Sequence, residues 1–265
     1  MKRVFVTGAS SGIGAALARC YAGQGAALGL VARRQEVLRE LAGSLPNPER
    51  HRVYALDVTD HDALAAAAGD FIATQGGIDV VIANAGISQG TLTEYAEDLA
   101  AFERIVATNL IATVATFAPF IATMRAQAQS GSGDCRLVGI ASVAGIRGLP
   151  GAEAYSASKA AVISYCESLR VELKDSGIRV VTIAPGYIDT PMTQKNAYRM
   201  PFLMPAAEFA ARAIRHIDVG TSYKVIPWQM GIVAKMLRML PNRIYDLAFS
   251  RAPRKARTPD MSGPA

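Results

Sequence analysis

The glycine-rich segment at residues 7–14, Thr-Gly-Ala-Ser-Ser-Gly-Ile-Gly, constrains the fold of this chain more than any other feature. It follows a short apolar run and precedes a helical pattern, and glycines in that position are typical of a dinucleotide-binding strand–helix unit. Gly8 would allow a tight exit from the strand, and Gly12 and Gly14 would let backbone and helix approach closely. The segment therefore predicts a pyrophosphate site at the start of the first helix. Its candidate cofactor-binding residues are Gly8, Ser10, Ser11, Gly12, Ile13 and Gly14.

Short runs of β-branched and aliphatic residues alternate with longer helical patterns along the chain. We predict strands at 3–7, 27–32, 52–56, 80–83, 136–141, 179–184 and 223–227. Helices are predicted at 14–22, 34–44, 60–74, 99–124, 156–175 and 206–217. Because such alternation implies right-handed crossovers, it predicts a Rossmann-type doubly wound α/β fold with helices on both faces of a parallel sheet. We expect residues 1–250 to form a single domain.

Composition excludes several other classes of protein. Hydrophobic residues make up 51% of the chain and charged residues 19%, which is unlike a disordered or fibrous chain. The net charge is +6, but the last fifteen residues hold four basic side chains and one acid, so the body of the chain is not a nucleic-acid binder. We expect this tail, 251–265, to be disordered.

The three cysteines, Cys20, Cys135 and Cys166, have no paired spacing. We therefore expect neither a disulfide framework nor a metal site, and a reducing, cytoplasmic setting. Residues 105–124 carry no charge and are long enough to span a bilayer. Because they also contain Asn109, Pro119 and several threonines, which are costly in lipid, we interpret them as a buried helix or a helix interface. A membrane span and an interfacial segment are the alternatives.

The end of the second predicted strand indicates which cofactor is bound. Enzymes that bind NAD place an acid there against the ribose 2′-hydroxyl. This chain has Arg33 and Arg34 after Ala32, and a guanidinium can bind a 2′-phosphate through charge-assisted hydrogen bonds. NADP(H) is therefore favoured over NAD(H), the alternative being that both arginines are simply solvated.

Tyr155 and Lys159 are four residues apart, so on a helix they share one face. A nearby ammonium lowers the pKa of a tyrosine from about 10, which suits proton transfer. Ser142 follows a predicted strand, as do the segments Asn-Ala-Gly at 84–86 and Pro-Gly at 185–186. These strand ends share one edge of the sheet and predict a groove for an extended cofactor. A surface Tyr–Lys pair and ordinary turn residues are the alternative reading.

Together these motifs resemble those of the short-chain dehydrogenase/reductase family over residues 2–190. The resemblance implies that Tyr155 is the proton donor in reduction and that Ser142 hydrogen-bonds the substrate oxygen. It implies that Lys159 binds the nicotinamide ribose and lowers the pKa of Tyr155, and that Asn109 bends its helix and holds a water in a proton relay. Further cofactor contacts implied are Asp57 and Val58 at the adenine, Asn84, Ala85 and Gly86 at the adenosine, Pro185 and Gly186, and Ile188 and Thr190 at the carboxamide.

The same resemblance places a substrate lid at 187–215. The lid is rich in adaptable apolar side chains, which favour a hydrophobic ketone or aldehyde, although core packing would explain them equally well. These lid residues are Met192, Tyr198, Met200, Phe202, Leu203 and Met204. The candidate substrate contacts are Ser142, Ile146, Leu149, Tyr155 and Met192.

Residues 228–250 form an amphipathic C-terminal segment that carries Lys235, Arg238 and Arg243. The chain lacks the glycine-rich ending common in ketoacyl reductases, which disfavours a role in fatty-acid synthesis. The segment is compatible with peripheral contact with an anionic membrane, with packing on the protein, with closure of the substrate site and with a subunit interface.

The sequence thus predicts an NADP(H)-dependent oxidoreductase that reduces a carbonyl to an alcohol, or the reverse. A cofactor-binding sensor or scaffold without turnover is the alternative, and the intact Ser142, Tyr155 and Lys159 disfavour it. A nucleotide-sugar epimerase or dehydratase is disfavoured by the glycine spacing and the short region after Pro185. The resemblance suggests a homodimer or homotetramer built on helices 99–124 and 156–175.

Overall fold

The computed structural model describes residues 1–131, 133–196, 198–250, 252, 254, 255 and 257. Within that part of the chain, one parallel sheet has the strand order β3-β2-β1-β4-β5-β6-β9, and a short pair is formed by β7 and β8. The strands are β1 (Arg3–Thr7), β2 (Ala27–Ala32), β3 (Arg52–Ala55), β4 (Val80–Ala83), β5 (Cys135–Ile140), β6 (Ile178–Pro185), β7 (Ile188–Asp189), β8 (Met204–Pro205) and β9 (Tyr223–Ile226).

Helices cover both faces of this sheet. They are α1 (Gly12–Gly23), α2 (Gln35–Ser44), α3 (His61–Gln75), α4 (Asp98–Val106), α5 (Ala112–Phe117), α6 (Ile121–Gln129), α7 (Glu153–Glu172), α8 (Ala206–Val219), α9 (Trp228–Met239) and α10 (Asn242–Phe249). The predicted doubly wound α/β fold is confirmed, since β1 pairs with β2 on one side and with β4 on the other. From β1 the strands are added in one direction through β2 and β3, and from β4 onward they are added in the other direction. Folds of this type bind ligands at the carboxyl ends of the strands where the order reverses, here between β1 and β4.

Two hydrophobic cores lie on opposite faces of the sheet, because successive side chains of a strand point to opposite sides. Val4 and Val6 of β1 pack in the core that contains α1, α2 and α8. Phe5 points the other way and contacts Phe71 and Phe120 in the core beneath α3 and the α5–α6 region. The middle residues of β1, β2 and β4 are therefore apolar on both faces, as parallel strands covered on both faces should be.

The helical run from Asp98 to Gln129 is long and apolar enough to cross a membrane. In the fold, Phe117, Phe120 and Met124 are fully buried against the sheet, whereas Ile111 and Val114 are exposed, so one side of the run is buried and the other is not. The run is interrupted by a π-helical turn at Ala107–Ile111 and by a 3₁₀ turn at Ala118–Phe120. Pro119 accounts for the second interruption because it lacks a backbone N–H.

The predicted start of α7 needs correction: the helix begins at Glu153, three residues before the predicted start, so Tyr155 lies inside the helix. The amphipathic segment 228–250 forms two helices, α9 and α10, because Pro241 disfavours helical backbone at Leu240. The short strands β7 and β8, at the two ends of the lid, carry too few residues to give a pattern in the sequence.

The C-terminal tail also differs from expectation where it is described. Residues 251, 253, 256 and 258–265 lie outside the described residues. Lys255 and Arg257, expected to be disordered, instead contact Ser88 and Asp98. The physical reason is that the tail's cationic side chains find hydroxyl and carboxylate acceptors on the loop after β4.

Candidate active site

The loop between β1 and α1 can be built only from glycine at its three predicted positions. Gly8 has a φ of +69°, and a Cβ there would lie 2.9 Å from the Cα of Ala85. Gly12 has a φ of +53°, and its Cβ would lie 3.1 Å from Thr190. A Cβ at Gly14 would clash with the carbonyl oxygen of Gly8. The chain therefore folds tightly enough here for a ligand to approach the backbone.

The start of α1 fits a pyrophosphate. Ser11 occupies the N-cap position without a side-chain hydrogen bond to the helix, and the first turn carries no acidic residue. The first N–H groups of a helix have no partner within it, and the helix dipole places partial positive charge there. Gly12 and Thr190 also line a cavity of about 520 Å³ beside this turn. The loop is thus suited to the phosphates of a dinucleotide.

Asn84 braces the glycine loop from the neighbouring strand. Its Nδ2 donates to the carbonyl oxygens of Thr7 and Gly8, at 3.0 and 3.3 Å. The Thr7 hydroxyl oxygen accepts from the backbone N–H groups of Asn84 and Ala85, at 3.1 and 3.2 Å. The amide nitrogen of Asn84 therefore positions the loop, and Thr7, whose role the sequence did not reveal, completes the brace.

The predicted adenine end lies at the carboxyl ends of β2 and β3. Arg33 and Arg34 are exposed, and Nη2 of Arg34 donates to the Ser10 hydroxyl at 3.2 Å. Nη1 of Arg33 lies 3.9 Å from a carboxylate oxygen of Asp57, and Val58 is buried beside it. The structure thus brings both arginines, the phosphate loop and the Asp57-Val58 turn together.

Tyr155 and Lys159 lie one helical turn apart on α7, with Nζ of Lys159 6.0 Å from the centre of the Tyr155 ring. Lys159 is buried and donates to the carbonyl oxygen of Ile140 at 2.8 Å. Ser142 begins the 3₁₀ turn Val143–Gly145 after β5, where its oxygen accepts from the N–H of Ala144. The predicted catalytic side chains therefore come together at the carboxyl edge of the sheet.

Gly145 fixes the distance between the Ser142 turn and α7. A Cβ at Gly145 would lie 2.6 Å from the carbonyl carbon of Lys159, so only glycine lets the turn rest directly on the helix. Sequence reasoning missed this residue. The small residues of the segment Ser-Val-Ala-Gly at 142–145 were the only signal.

The direction of the Tyr155 pKa differs from the sequence prediction. Burial raises the pKa of Tyr155, and the Ser142 hydroxyl only partly opposes this by hydrogen bonding. Burial lowers the pKa of Lys159 to about 8. The expected lowering is not found, because desolvation of the phenolate is the largest influence on this pKa and the Lys159 ammonium, 6.0 Å from the ring centre, is not among its causes. Tyr155 is consequently protonated at neutral pH, the form that can donate a proton.

Asn109 lies in the π-helical turn and is fully buried. Its Nδ2 donates to the Ile87 carbonyl and to the Ser158 hydroxyl, each at 3.0 Å, and its Oδ1 accepts from the Ile87 N–H at 2.8 Å. A Cβ at Gly86 would lie 3.2 Å from Oδ1 of Asn109 and 3.5 Å from Nζ of Lys159. The predicted bend at Asn109 is present, and it ties the loop after β4 to α7 through Ser158, which the sequence did not single out.

The predicted substrate contacts occupy different places. Ile146 packs against the core beside the Ser142 turn, and the N–H of Leu149 donates to the Ser156 hydroxyl at 3.2 Å. Met192 is exposed on the lid. Tyr198 of the lid has its pKa raised by burial and by the neighbouring Tyr187 and Tyr155, so this lid aromatic lies near Tyr155.

The C-terminal helices hold the loops around the site. A Cβ at Gly186, after Pro185 at the end of β6, would lie 2.7 Å from Met230 of α9. Arg147, between Ile146 and Leu149, donates to Asn242 of α10 at 3.0 Å. Of the expectations for segment 228–250, packing on the protein therefore agrees with these contacts. Ile188 is buried, and its side chain packs in the core at the start of the lid.

The chemistry that this arrangement can perform is acid–base chemistry beside a bound nucleotide. In the described part of the chain, no group of three or more His, Cys, Asp or Glu side chains could hold a metal ion. A phenol, a serine hydroxyl and a buried ammonium converge next to a loop suited to phosphate.

Comparisons with known proteins point the same way. A family model described as short chain dehydrogenase matches residues 2–200. An uncharacterized oxidoreductase of Myxococcus xanthus is 36% identical over 259 residues, which is 94% of this chain and 97% of that protein. The cis-4-hydroxycyclohexanecarboxylate dehydrogenase of Sinomonas cyclohexanicum is 37% identical over 190 residues, 71% of this chain and 73% of that protein. The crystal structure of a 3-ketoacyl-(acyl-carrier-protein) reductase from Brucella melitensis complexed with NADH has a TM-score of 0.75 and 25% identity, covering 84% of this chain and 94% of that one.

Proposed function

The chain belongs to the short-chain dehydrogenase family, and we propose that it is an NADP(H)-dependent enzyme that interconverts a hydrophobic carbonyl compound and its alcohol. The observation that carries this proposal is the convergence of Ser142, Tyr155 and Lys159 beside the glycine loop. Family membership makes the chain an oxidoreductase, and the cofactor preference, the substrate class and the roles below are our proposals.

In the reduction, a bound nicotinamide dinucleotide supplies the hydride that reaches the carbonyl carbon. Ser142 donates a hydrogen bond to the carbonyl oxygen, and Tyr155 transfers its phenolic proton to that oxygen as charge develops on it. The ammonium of Lys159 stabilises the phenolate that remains, and Asn109 holds the loop of Gly86 and Ile87 against Lys159. The rigid helix and turn that carry these groups fix their orientation before substrate binds.

A panel of ketones and aldehydes with NADPH, followed at the nicotinamide absorbance, tests this function. The apolar lid and the name of the Sinomonas relative favour cyclic ketones, so the panel includes 4-oxocyclohexanecarboxylate, its carboxamide and 4-methylcyclohexanone. We expect turnover of at least one apolar ketone. Saturable NADPH binding with no turnover of any carbonyl would instead favour the sensor or scaffold.

The preference for NADP(H) is supported by two exposed guanidinium groups and no acid directly after β2. Charge-assisted hydrogen bonds contribute about 1.5–3 kcal/mol, and the exposure of Arg33 and its proximity to Asp57 place it at the low end. Arg33→Ala should therefore weaken NADPH binding about tenfold and leave NADH binding unchanged. Arg39→Ala, which removes an exposed arginine from α2, is the control. Equal losses for both cofactors would contradict the selective role of Arg33.

We also propose that α9 contacts an anionic membrane peripherally, with the protein otherwise in the cytoplasm. Trp228, Ile232 and Met236 form one exposed apolar face on α9, and Lys235 and Arg238 flank it. Liposome flotation should show binding to anionic vesicles at low salt that Trp228→Ser abolishes. Equal flotation of both proteins would reject membrane contact through this face.

Exposed apolar side chains on the predicted subunit helices support a homodimer or homotetramer. These side chains are Leu99, Ile111, Val114 and Val171. Light scattering coupled to size exclusion should give a mass of two or four chains, and a monomer at micromolar concentration would reject this proposal.

A further inference from the structure

The described part of the C-terminal tail, at Arg254, Lys255 and Arg257, lies beside the candidate active site. Nε of Arg257 donates to Asp98 at 2.8 Å, and the guanidinium carbon lies 3.4 Å from the centre of the Tyr95 ring. The carbonyl oxygen of Arg257 accepts from Nε2 of Gln89 at 2.7 Å. These contacts anchor the tail on the loop between β4 and α4, the loop that Asn109 ties to the catalytic helix.

Lys255 lies two residues before this anchor, between that loop and α7. Its Nζ donates to the Ser88 hydroxyl at 2.7 Å and lies 5.9 Å from the centre of the Tyr155 ring. A Cβ at Gly151 would lie 2.7 Å from Cβ of Arg254, so the tail also rests on the loop that leads into α7. The Lys255 ammonium therefore lies as close to the Tyr155 ring as the Lys159 ammonium does, at 5.9 Å against 6.0 Å.

The charge of Lys255 is not balanced by an acid in the described part of the chain. No carboxylate there forms an ion pair with it, and its one hydrogen-bond partner is a neutral hydroxyl. Burial lowers the pKa of Lys255 to about 8, and the like charge of Lys195 adds to this. A largely desolvated ammonium with so little compensation is costly unless an anion binds beside it.

We propose that Lys255 determines substrate specificity by binding a carboxylate on the substrate, while the carbonyl group of the same molecule meets Ser142 and Tyr155. The substrate class is then an apolar oxo acid, or the corresponding hydroxy acid. This inference rests on the proposed function, because it places the reacting carbonyl at Tyr155. In this arrangement the apolar part of the substrate packs against Ile146 and Tyr198. The Ser88 hydroxyl is a second hydrogen-bond donor to the substrate carboxylate.

Binding without turnover gives the cleaner test. Cyclohexanecarboxylate and the uncharged cyclohexanecarboxamide, which have nearly the same shape, are titrated calorimetrically into the full-length protein saturated with NADP⁺. A charge-assisted contact predicts that the carboxylate binds about 10- to 100-fold more tightly than the carboxamide. Lys255→Met should abolish that difference and Lys255→Arg should retain most of it. Lys174→Met, which removes an exposed lysine from the turn after α7, should leave it unchanged.

The same pair of functional groups separates this inference from the proposed function. Catalytic efficiency is measured with 4-oxocyclohexanecarboxylate and with its carboxamide. We expect Lys255→Met to lower the value for the acid at least about tenfold and to spare the amide. Three results would overturn the role of Lys255 and leave the proposed function standing. These are turnover of both ketones with no preference for the acid, equal losses of catalytic efficiency for the acid and the amide in Lys255→Met, and carboxylate binding no tighter than carboxamide binding. Tighter carboxylate binding that depends on Lys255, together with no carbonyl turnover, would support the anion site and reject the enzyme.

Discussion

Replacing Asn109 by alanine tests whether the loop after β4 is held to the catalytic helix as the structure indicates. The substitution removes the hydrogen bonds to the N–H and carbonyl of Ile87 and to the Ser158 hydroxyl. Each such bond contributes about 0.5–1.5 kcal/mol, and the partners left behind are buried or partly buried. We therefore expect Asn109→Ala to lower the free energy of unfolding by about 2–4 kcal/mol. In a domain of this size that is a fall in Tm of about 4–15 °C.

Urea and thermal unfolding followed by circular dichroism measure this loss. Thr74→Ala is the matched control, because it removes one hydroxyl, shared between the Asp70 and Phe71 carbonyl oxygens, at an exposed position on α3. Its effect should be below about 0.5 kcal/mol. Turnover should fall in Asn109→Ala, because Gly86 and Lys159 lose the group that fixes their separation. An Asn109→Ala protein as stable as the control would refute the reasoning.

Two further predictions concern the phosphate loop and pH. A methyl group at Gly14 would lie 2.6 Å from Nδ2 of Asn84 and would clash with Gly8. We therefore expect Gly14→Ala to weaken NADPH binding, measured by calorimetry, at least about tenfold. An unchanged Kd for NADPH would contradict the role of the glycine loop. His51 is buried, its Nε2 contacts the Pro46 carbonyl, and its Nδ1 has no partner among the described residues, so burial lowers its pKa from 6.5. Because the folded pKa lies below the unfolded one, this contribution to stability is present above pH 6.5 and is lost as pH falls through the folded pKa. Urea unfolding between pH 7 and 5 should show that the free energy of unfolding depends less on pH in His51→Gln than in the original protein. The same pH dependence in both proteins would contradict a contribution from His51.

Much of the fold could be predicted because its signals are local. Strands β1, β2 and β4 begin and end where the apolar runs do, since buried parallel strands must be continuously apolar. The grouping of the candidate site residues could also be predicted, because the carboxyl ends of parallel strands lie at the same edge of the sheet. Ser142, Asn84 and the glycine loop each follow a strand, and the structure places them together.

What could not be predicted depends on packing between distant segments. Gly145 matters only because the backbone of Lys159 lies against it, and no local pattern encodes that approach. The pKa of Tyr155 follows the burial of its ring, which the four-residue spacing to Lys159 does not reveal. Lys255 and Arg257 were assigned to a disordered tail because composition reports charge but not the acceptors at Ser88 and Asp98 that receive it.

Comparing Tyr155→Phe with the original protein, using the best ketone from the panel, tests whether Tyr155 is the proton donor. The substitution removes only the hydroxyl group. We predict that NADPH binding stays within about twofold, while kcat falls by about 10²–10⁴, the usual contribution of a general acid. Turnover within tenfold of the original protein, with NADPH still bound, would contradict the assignment of Tyr155 as the proton donor.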